Sequence, residues 1–315
     1  MGIRAPRRSA VALLTAGALA SSAVGTRNLL TGQAAKTRQA IPRAWSMPPR
    51  ADGVYAPGGA PVQRWQRDVP FDLHLMVFGD STATGYGCTN AEEVPAVLVS
   101  RGLAERSGKR IRLSTKAIVG ATSKGLSGQV DAMFVAGKRP DAAVIMIGAN
   151  DVTALNGTAH SARRLGHAVK RLRASGAVVV VGTCPDFGII TAIPQPLRWV
   201  TRNRGLRLAR AQSAAVWTAG GVPVPLADLL TGEFMRAPDV LFSDDMYHPS
   251  AAGYALAAAQ LLPALCHALG ESGEGLPWLS EANPGRSLLS RLRMLTRLQN
   301  GRTTGVPAPV VVPAG

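Results

Sequence analysis

A chain of 315 residues can hold one large domain or two small ones, and 46% hydrophobic residues permit a sizeable core. Aromatic residues supply only 5%, so that core has to be built from Ala, Val, Leu and Ile. The formal net charge of +16 sits at the ends: residues 1–67 hold ten Lys/Arg against one acid, residues 285–315 hold five Arg and no acid, and the stretch between carries +2. A nearly neutral middle argues against a nucleic-acid enzyme, whose basic footprint belongs on the folded face that meets the phosphates.

Residues 1–25 read as a signal peptide or a membrane anchor. Arg4, Arg7 and Arg8 form a basic start, Ser9 to Leu19 is apolar and small, and Ala18-Leu19-Ala20 offers an A-x-A-like cleavage site. The Arg7-Arg8 pair is compatible with a twin-arginine signal. Export is the favoured expectation, with the rest of the protein secreted or held at the cell envelope; the alternative is a cytoplasmic helix, because positive charge continues past the apolar run at Arg27, Lys36, Arg38 and Arg43. Residues 26–71 carry Pro42, Pro48-Pro49, Pro57-Gly58-Gly59 and Pro61. This punctuation predicts an extended lead-in over the domain surface, without long regular elements.

From Leu73 onward apolar runs of strand length alternate with helical periodicity. Strands are predicted at 73–78, 111–119, 142–147, 177–183 and 222–226. Helices are predicted near 93–107, 126–136, 159–174, 201–219 and 251–269. The β-branched run Val178-Val179-Val180-Val181 marks a strand buried on both faces. Such alternation implies parallel strands with crossover helices, hence a three-layer, flavodoxin-like α/β domain of about five parallel strands over residues 72–270.

Residues 184–200 are predicted to be a long loop on the rim where the strands end. Phe187, Ile189, Ile190, Ile193, Leu197 and Trp199 suit either an acyl-chain wall or core packing. The following helix carries Arg202, Arg204, Arg207 and Arg210, a spacing that reads as a solvated face. Residues 271–315 form a tail in which Leu288, Leu292 and Leu295 alternate with Arg286, Arg293 and Arg297. A basic amphipathic helix of this kind fits peripheral contact with an anionic membrane or docking on the domain, and a Pro-rich end follows it. The three cysteines, Cys88, Cys184 and Cys266, show no metal-ligand spacing. Cys88 and Cys184 both follow predicted strands, so a bridge between them is conceivable, while Cys266 reads as a small buried hydrophobe.

Four short blocks carry the chemistry. Gly79-Asp80-Ser81 closes the first strand; Gly120-Ala121-Thr122 follows the second; Gly148-Ala149-Asn150-Asp151 follows the third; Asp245-Met246-Tyr247-His248-Pro249 precedes the last helix. In this order the blocks resemble the SGNH (GDSL-type) hydrolase family of serine esterases and lipases, over about residues 72–270. One departure is Thr82, where the family name implies Leu. The resemblance implies the same flavodoxin-like fold and a serine esterase that needs no cofactor or metal. Its substrate would be a small-molecule or lipid ester, and a transferase or a non-catalytic envelope-binding protein are the alternatives.

The chemistry of those residue types agrees. Ser81 is the candidate nucleophile, inert until a base takes its proton. His248 is the candidate base, and Asp245, three residues earlier, can orient the imidazole. Asp244 is the adjacent rival, which the motif spacing disfavours. Ser81 N–H, Gly120 N–H and the Asn150 amide are the candidate oxyanion donors, glycine because it brings a backbone amide close with no Cβ in the way. Asp80 and Asp151 read as structural. His74, His160, His167 and His267 fall on predicted elements away from the motif. No Gly-rich phosphate loop or metal-ligand cluster appears in the sequence.

Overall fold

The computed structural model of the protein describes residues 25–26, 28–37, 48–135, 137 and 139–271. The expected export segment and the basic tail lie outside the described residues.

Six strands form one sheet: β1 (Gly53–Tyr55), β2 (Leu73–Gly79), β3 (Ile111–Thr115), β4 (Ala142–Met146), β5 (Val178–Gly182) and β6 (Val222–Val224), in the order β1-β3-β2-β4-β5-β6. Five of them are parallel, and β1 joins the β3 edge antiparallel. The helices are α1 (Ser81–Thr84), α2 (Pro95–Ser107), α3 (Leu126–Val135), α4 (Ala149–Thr153), α5 (Thr158–Ala174), α6 (Leu197–Thr218), α7 (Leu226–Arg236), α8 (Pro238–Leu241) and α9 (Ala251–Leu269). One face of the sheet buries Met76, Phe78, Ala143, Ile145, Val179 and Val181 against Leu126 and Val130 of α3, Leu165 and Val169 of α5 and Val216 of α6. α9 packs against α2 and β5 to make the third layer. This is the three-layer α/β architecture that the strand–helix alternation requires. β2 and β4 are buried along their whole length, as continuous apolar runs in a central parallel sheet must be.

The departures from the expected elements have local causes. The lead-in is not free of regular structure. Residues 28–37 are helical, because the prolines begin only at Pro42, and Gly53–Tyr55 pairs with β3. Gln33 of that helical stretch reaches the loop before α6, donating to Gln195 O (2.6 Å) and accepting from Leu197 N (3.1 Å). The predicted loop 184–200 ends early, since Pro196 caps α6 and its first helical residue is Leu197. Leu226–Arg236 and Pro238–Leu241 add two helices where none is predicted. The second predicted strand, 111–119, stops at Thr115, and its remaining residues leave the sheet to build the site. The three cysteines are free.

Beyond the strand ends the ladder hydrogen bonds run out, and two buried glutamines replace them. Gln129 of α3 accepts from Gly79 N and donates to Gly79 O, both at 2.8 Å. Gln212 of α6 accepts from Cys184 N and donates to Ile147 O, again at 2.8 Å. A buried N–H left without an acceptor costs about 1–3 kcal/mol. Gln129→Leu keeps the volume and strands the Gly79 amide, so urea unfolding is expected to show a loss of about 1–3 kcal/mol relative to wild type. An unchanged midpoint would mean that the Gln129 clip adds nothing to stability.

Candidate active site

The site is built at the C-terminal edge of β2 and β4. Gly79 has φ +138, and a Cβ there would overlap the Met146 carbonyl oxygen of β4. Gly148 repeats this at the end of β4 with φ +137, a Cβ there standing 2.8 Å from Gln212 Nε2. Only glycine lets the chain turn at these two points. Asp80 then caps α1: Oδ1 accepts from Thr82 N (3.0 Å) and Oδ2 from Gly148 N (3.3 Å). Ser81, the first residue of α1, is thereby fixed at the rim with a relative exposure of 7%. Burial pushes the Asp80 carboxyl up to about 6, against the opposing pull of the Thr82 and Gly148 amides and of His248.

The segment after β3 is tied back to β2. Lys116 N donates to Val77 O (2.8 Å) and Ile118 N to Gly79 O (3.1 Å). Gly120 follows with φ +80, and a Cβ there would meet no atom within 4 Å. What the protein itself demands at 120 is therefore the left-handed backbone, not the absence of a crowding Cβ. Asn150 donates through Nδ2 to Ala121 O (3.0 Å), which brings its amide beside the Gly120 segment. The backbone amides of Ser81 and Gly120 find no acceptor among the described residues. Asp151 is only 1% exposed and accepts from Ser123 N, Ser123 Oγ and Ser161 Oγ at 2.8 Å and from Asn156 Nδ2 at 3.0 Å. It locks the loops of β3 and β4 together. Ser123, like Gln129 and Gln212, carries no motif. The signal for the glutamines is a lone polar residue on an otherwise apolar helix face, such as Leu126, Gln129, Val130 and Met133.

The third side of the site is the loop between α8 and α9. Asp245 Oδ2 lies 2.7 Å from His248 Nδ1, and Asp245 Oδ1 accepts from Ser243 Oγ (2.8 Å), Tyr247 N (2.9 Å) and His248 N (2.8 Å). Met246 takes φ +51 to make this reversal, and Ser243 N closes it on His248 O at 2.8 Å. Burial raises the Asp245 carboxyl, yet the His248 and Tyr247 hydrogen bonds together outweigh it and hold the group down at about 2. Asp244 is exposed and makes no hydrogen bond among the described residues. Ser250 caps α9 through Gly253 N (3.2 Å), and so starts the helix just after His248. Tyr86 packs on the imidazole at 4.6 Å between ring centroids, and its carbonyl is held by the buried Tyr254 hydroxyl at 2.8 Å. The other histidines lie elsewhere. His74 is buried in β2 beside Ser114 (2.9 Å) and is pushed down to about 4 by that burial and by Arg112. His160 and His167 sit on α5 and His267 on α9.

Ser81 and His248 face a common cavity of about 90 Å³ with a mostly apolar lining. They form no direct hydrogen bond in this structure; in unliganded sites of this type such contacts are often long. Phe187, Ile189 and Ile190 line the cavity together with Leu226, Leu230 and Phe234 of α7. Ile193 and Leu197 are buried away from it and Trp199 is 63% exposed, so the 184–200 stretch divides between wall, core and surface.

The GDSL-like lipase/acylhydrolase family matches residues 77–256, more than half of the chain. The chain belongs to this family. The same stretch carries all four SGNH blocks, and the protein is an ester hydrolase of the SGNH type. A GDSL-like esterase of Mycobacterium tuberculosis is 64% identical over 301 residues, covering 91% of this chain and 96% of that protein. Two solved structures are also similar. The lipase/acylhydrolase from Enterococcus faecalis is 24% identical, with a TM-score of 0.49 over 61% of this chain and 94% of its own. TesA is also 24% identical, with a TM-score of 0.47 over 62% of this chain and 97% of its own.

The Asp80 geometry has a pH signature. Its folded-state value lies above its unfolded one, so the folded protein binds the proton more tightly, and the Asp80 contribution to stability falls as pH rises from about 4 through about 6. Asp80→Asn does not titrate there. Urea midpoints of wild type and variant between pH 4 and 7 are expected to diverge, with wild type losing ground as pH rises. Parallel curves would show that Asp80 titrates alike folded and unfolded.

Proposed function

We propose that the protein hydrolyses carboxylic esters through an acyl-enzyme on Ser81. The observation that carries this reading is the shared cavity: Ser81 and His248 face the same apolar space, and His248 Nδ1 is held at 2.7 Å by a carboxylate that stays ionised. Ser81 Oγ attacks the ester carbonyl carbon while its proton passes to His248 Nε2. Asp245 fixes the tautomer that leaves Nε2 free and stabilises the imidazolium that forms. The charge that develops on the carbonyl oxygen meets the Ser81 and Gly120 amides and the second N–H of the Asn150 side chain. These dipoles are already oriented, so no reorganisation is needed as charge appears. His248 then returns the proton to the leaving alcohol, and water repeats the sequence to release the acid. The apolar lining from Phe187 to Phe234 suits the acyl side of the ester.

Steady-state hydrolysis of short acyl esters tests the division of labour. Ser81→Ala is expected to abolish turnover and labelling by a fluorophosphonate, and His248→Ala to come close to it. Asp245→Ala should be milder, because it removes the orientation of the base and not the base. Asn150→Ala should keep KM and lower kcat by about 10²–10³, the usual effect of one oxyanion donor. Asp244→Ala should resemble wild type. Full activity in Ser81→Ala would overturn the mechanism, and a larger loss from Asp244→Ala than from Asp245→Ala would reassign the acid.

We also propose that the protein works outside the cytoplasm, on the support of Arg4, Arg7 and Arg8 ahead of an apolar run. A fusion of residues 1–40 to a reporter active only beyond the membrane is expected to give signal; a stable but silent fusion would refute export.

A further inference from the structure

A second cleft, of about 320 Å³, opens between the start of α3 and the middle of α5. Lys124, Arg163, Arg164, His167, Ser123 and Ser127 line it with Ala168, and no acidic side chain does. Among the described residues, six lysines and arginines form ion pairs: Arg101, Lys109, Arg110, Arg171, Arg202 and Arg236. Lys124, Arg163 and Arg164 form none among the described residues. The acid closest by bonding is Asp151, which lies buried behind Ser123 and accepts from Ser123, Ser161 and Asn156. The one acid of α3, Asp131, is bound to Arg171. Three exposed cations around a concave space that no acid lines favour an anion there.

The shape decides which kind. A volume near the lower bound for ligand sites takes a small group, and guanidinium forks with a hydroxyl close by match the several oxygens of a phosphate. Position then links the cleft to turnover. Ser123 follows Gly120 by three residues, so at most about 11 Å of extended chain separates their Cα atoms. The Ser123 contacts to Asp151 and the Asn150 contact to Ala121 O hold cleft and oxyanion donors on one pair of loops. We propose that this cleft is a subsite for a phosphate group carried by the ester substrate on its alcohol side, opposite the apolar acyl cavity. The inference rests on the Ser81 reading for the place of the ester carbonyl.

The test pairs two substrates, a short acyl ester of glycerol and the same ester of glycerol phosphate. Arg163 and Arg164 are exposed, so the double variant Arg163→Gln/Arg164→Gln and the single variant Lys124→Gln are expected to fold. The double variant should lose about tenfold or more in kcat/KM on the phosphorylated ester and keep its rate on the neutral one. Equal effects on both esters, or none on either, overturn the subsite. Ser81→Ala run beside it separates the two readings: loss of both activities leaves the mechanism standing whatever the cleft does. Titration of the wild type with inorganic phosphate, read on the His167 ring resonances, should saturate, and the double variant should not respond. Absence of a saturable shift in the wild type overturns anion binding even if Ser81 proves not to be the nucleophile. Should the variants lose only flotation with phosphatidylglycerol vesicles while hydrolysing both soluble esters normally, the cleft serves a membrane surface and the subsite is overturned.

Discussion

One carboxylate almost out of water, Asp80, joins the ends of the two central strands. Parallel strands diverge as they leave the sheet, and the backbone groups they expose must be satisfied by something other than a neighbouring strand. Asp80 does this with two oxygens, one for the Thr82 amide in the first turn of α1 and one for Gly148 just past the end of β4. Gln129 and Gln212 do the same on either side. The crevice at the strand ends is thus a zone in which side chains take over the role of the ladder. Ser81 sits on the first residue that zone can position, and the Gly120 and Asn150 loops are hung from the same strand ends.

Two carboxylates near His248 respond to burial in opposite ways. Asp80 accepts two amide hydrogens, too few to offset its desolvation, and its proton affinity rises. Asp245 accepts from two backbone amides, a hydroxyl and the imidazole, and its proton affinity falls. The count and geometry of donors decide the sign, not the burial alone. That difference leaves the group bonded to the imidazole as a fixed anion through the neutral range and gives Asp80 a scaffolding place.

The sheet was legible because its central strands are largely apolar runs and its crossovers have helical period; α9 matches its predicted span of 251–269. The candidate site was legible because glycine, acid and serine fall together at strand ends. Other features depend on contacts that a linear pattern does not carry. β1 is three residues long and becomes a strand only by pairing with β3. α7 and α8 follow a proline-broken strand, α7 lines the cavity, and Gln129 and Gln212 look like interruptions of apolar faces. Asp244 and Asp245 differ by one position, and only Asp245 is bonded to His248, within a turn in which Met246 takes φ +51, an angle no propensity assigns to a methionine. Gly120 was legible as a glycine that matters for the approach of a substrate, and the structure adds a second reason, its φ of +80.

The two edges of the sheet bear on how the domain meets copies of itself. At one edge β1 is three residues long, and its outer side is already taken, Val54 exchanging both backbone bonds with Gln63 at 2.7 and 3.0 Å. At the other edge β6 is also three residues long, and its central residue, Pro223, has no N–H to give. An incoming strand finds almost no free ladder on either side, so the usual template for edge-to-edge aggregation is missing. A folded domain this rich in Val and Ala therefore keeps its sheet edges from pairing with another copy, and association through the β1 edge would first have to displace Gln63.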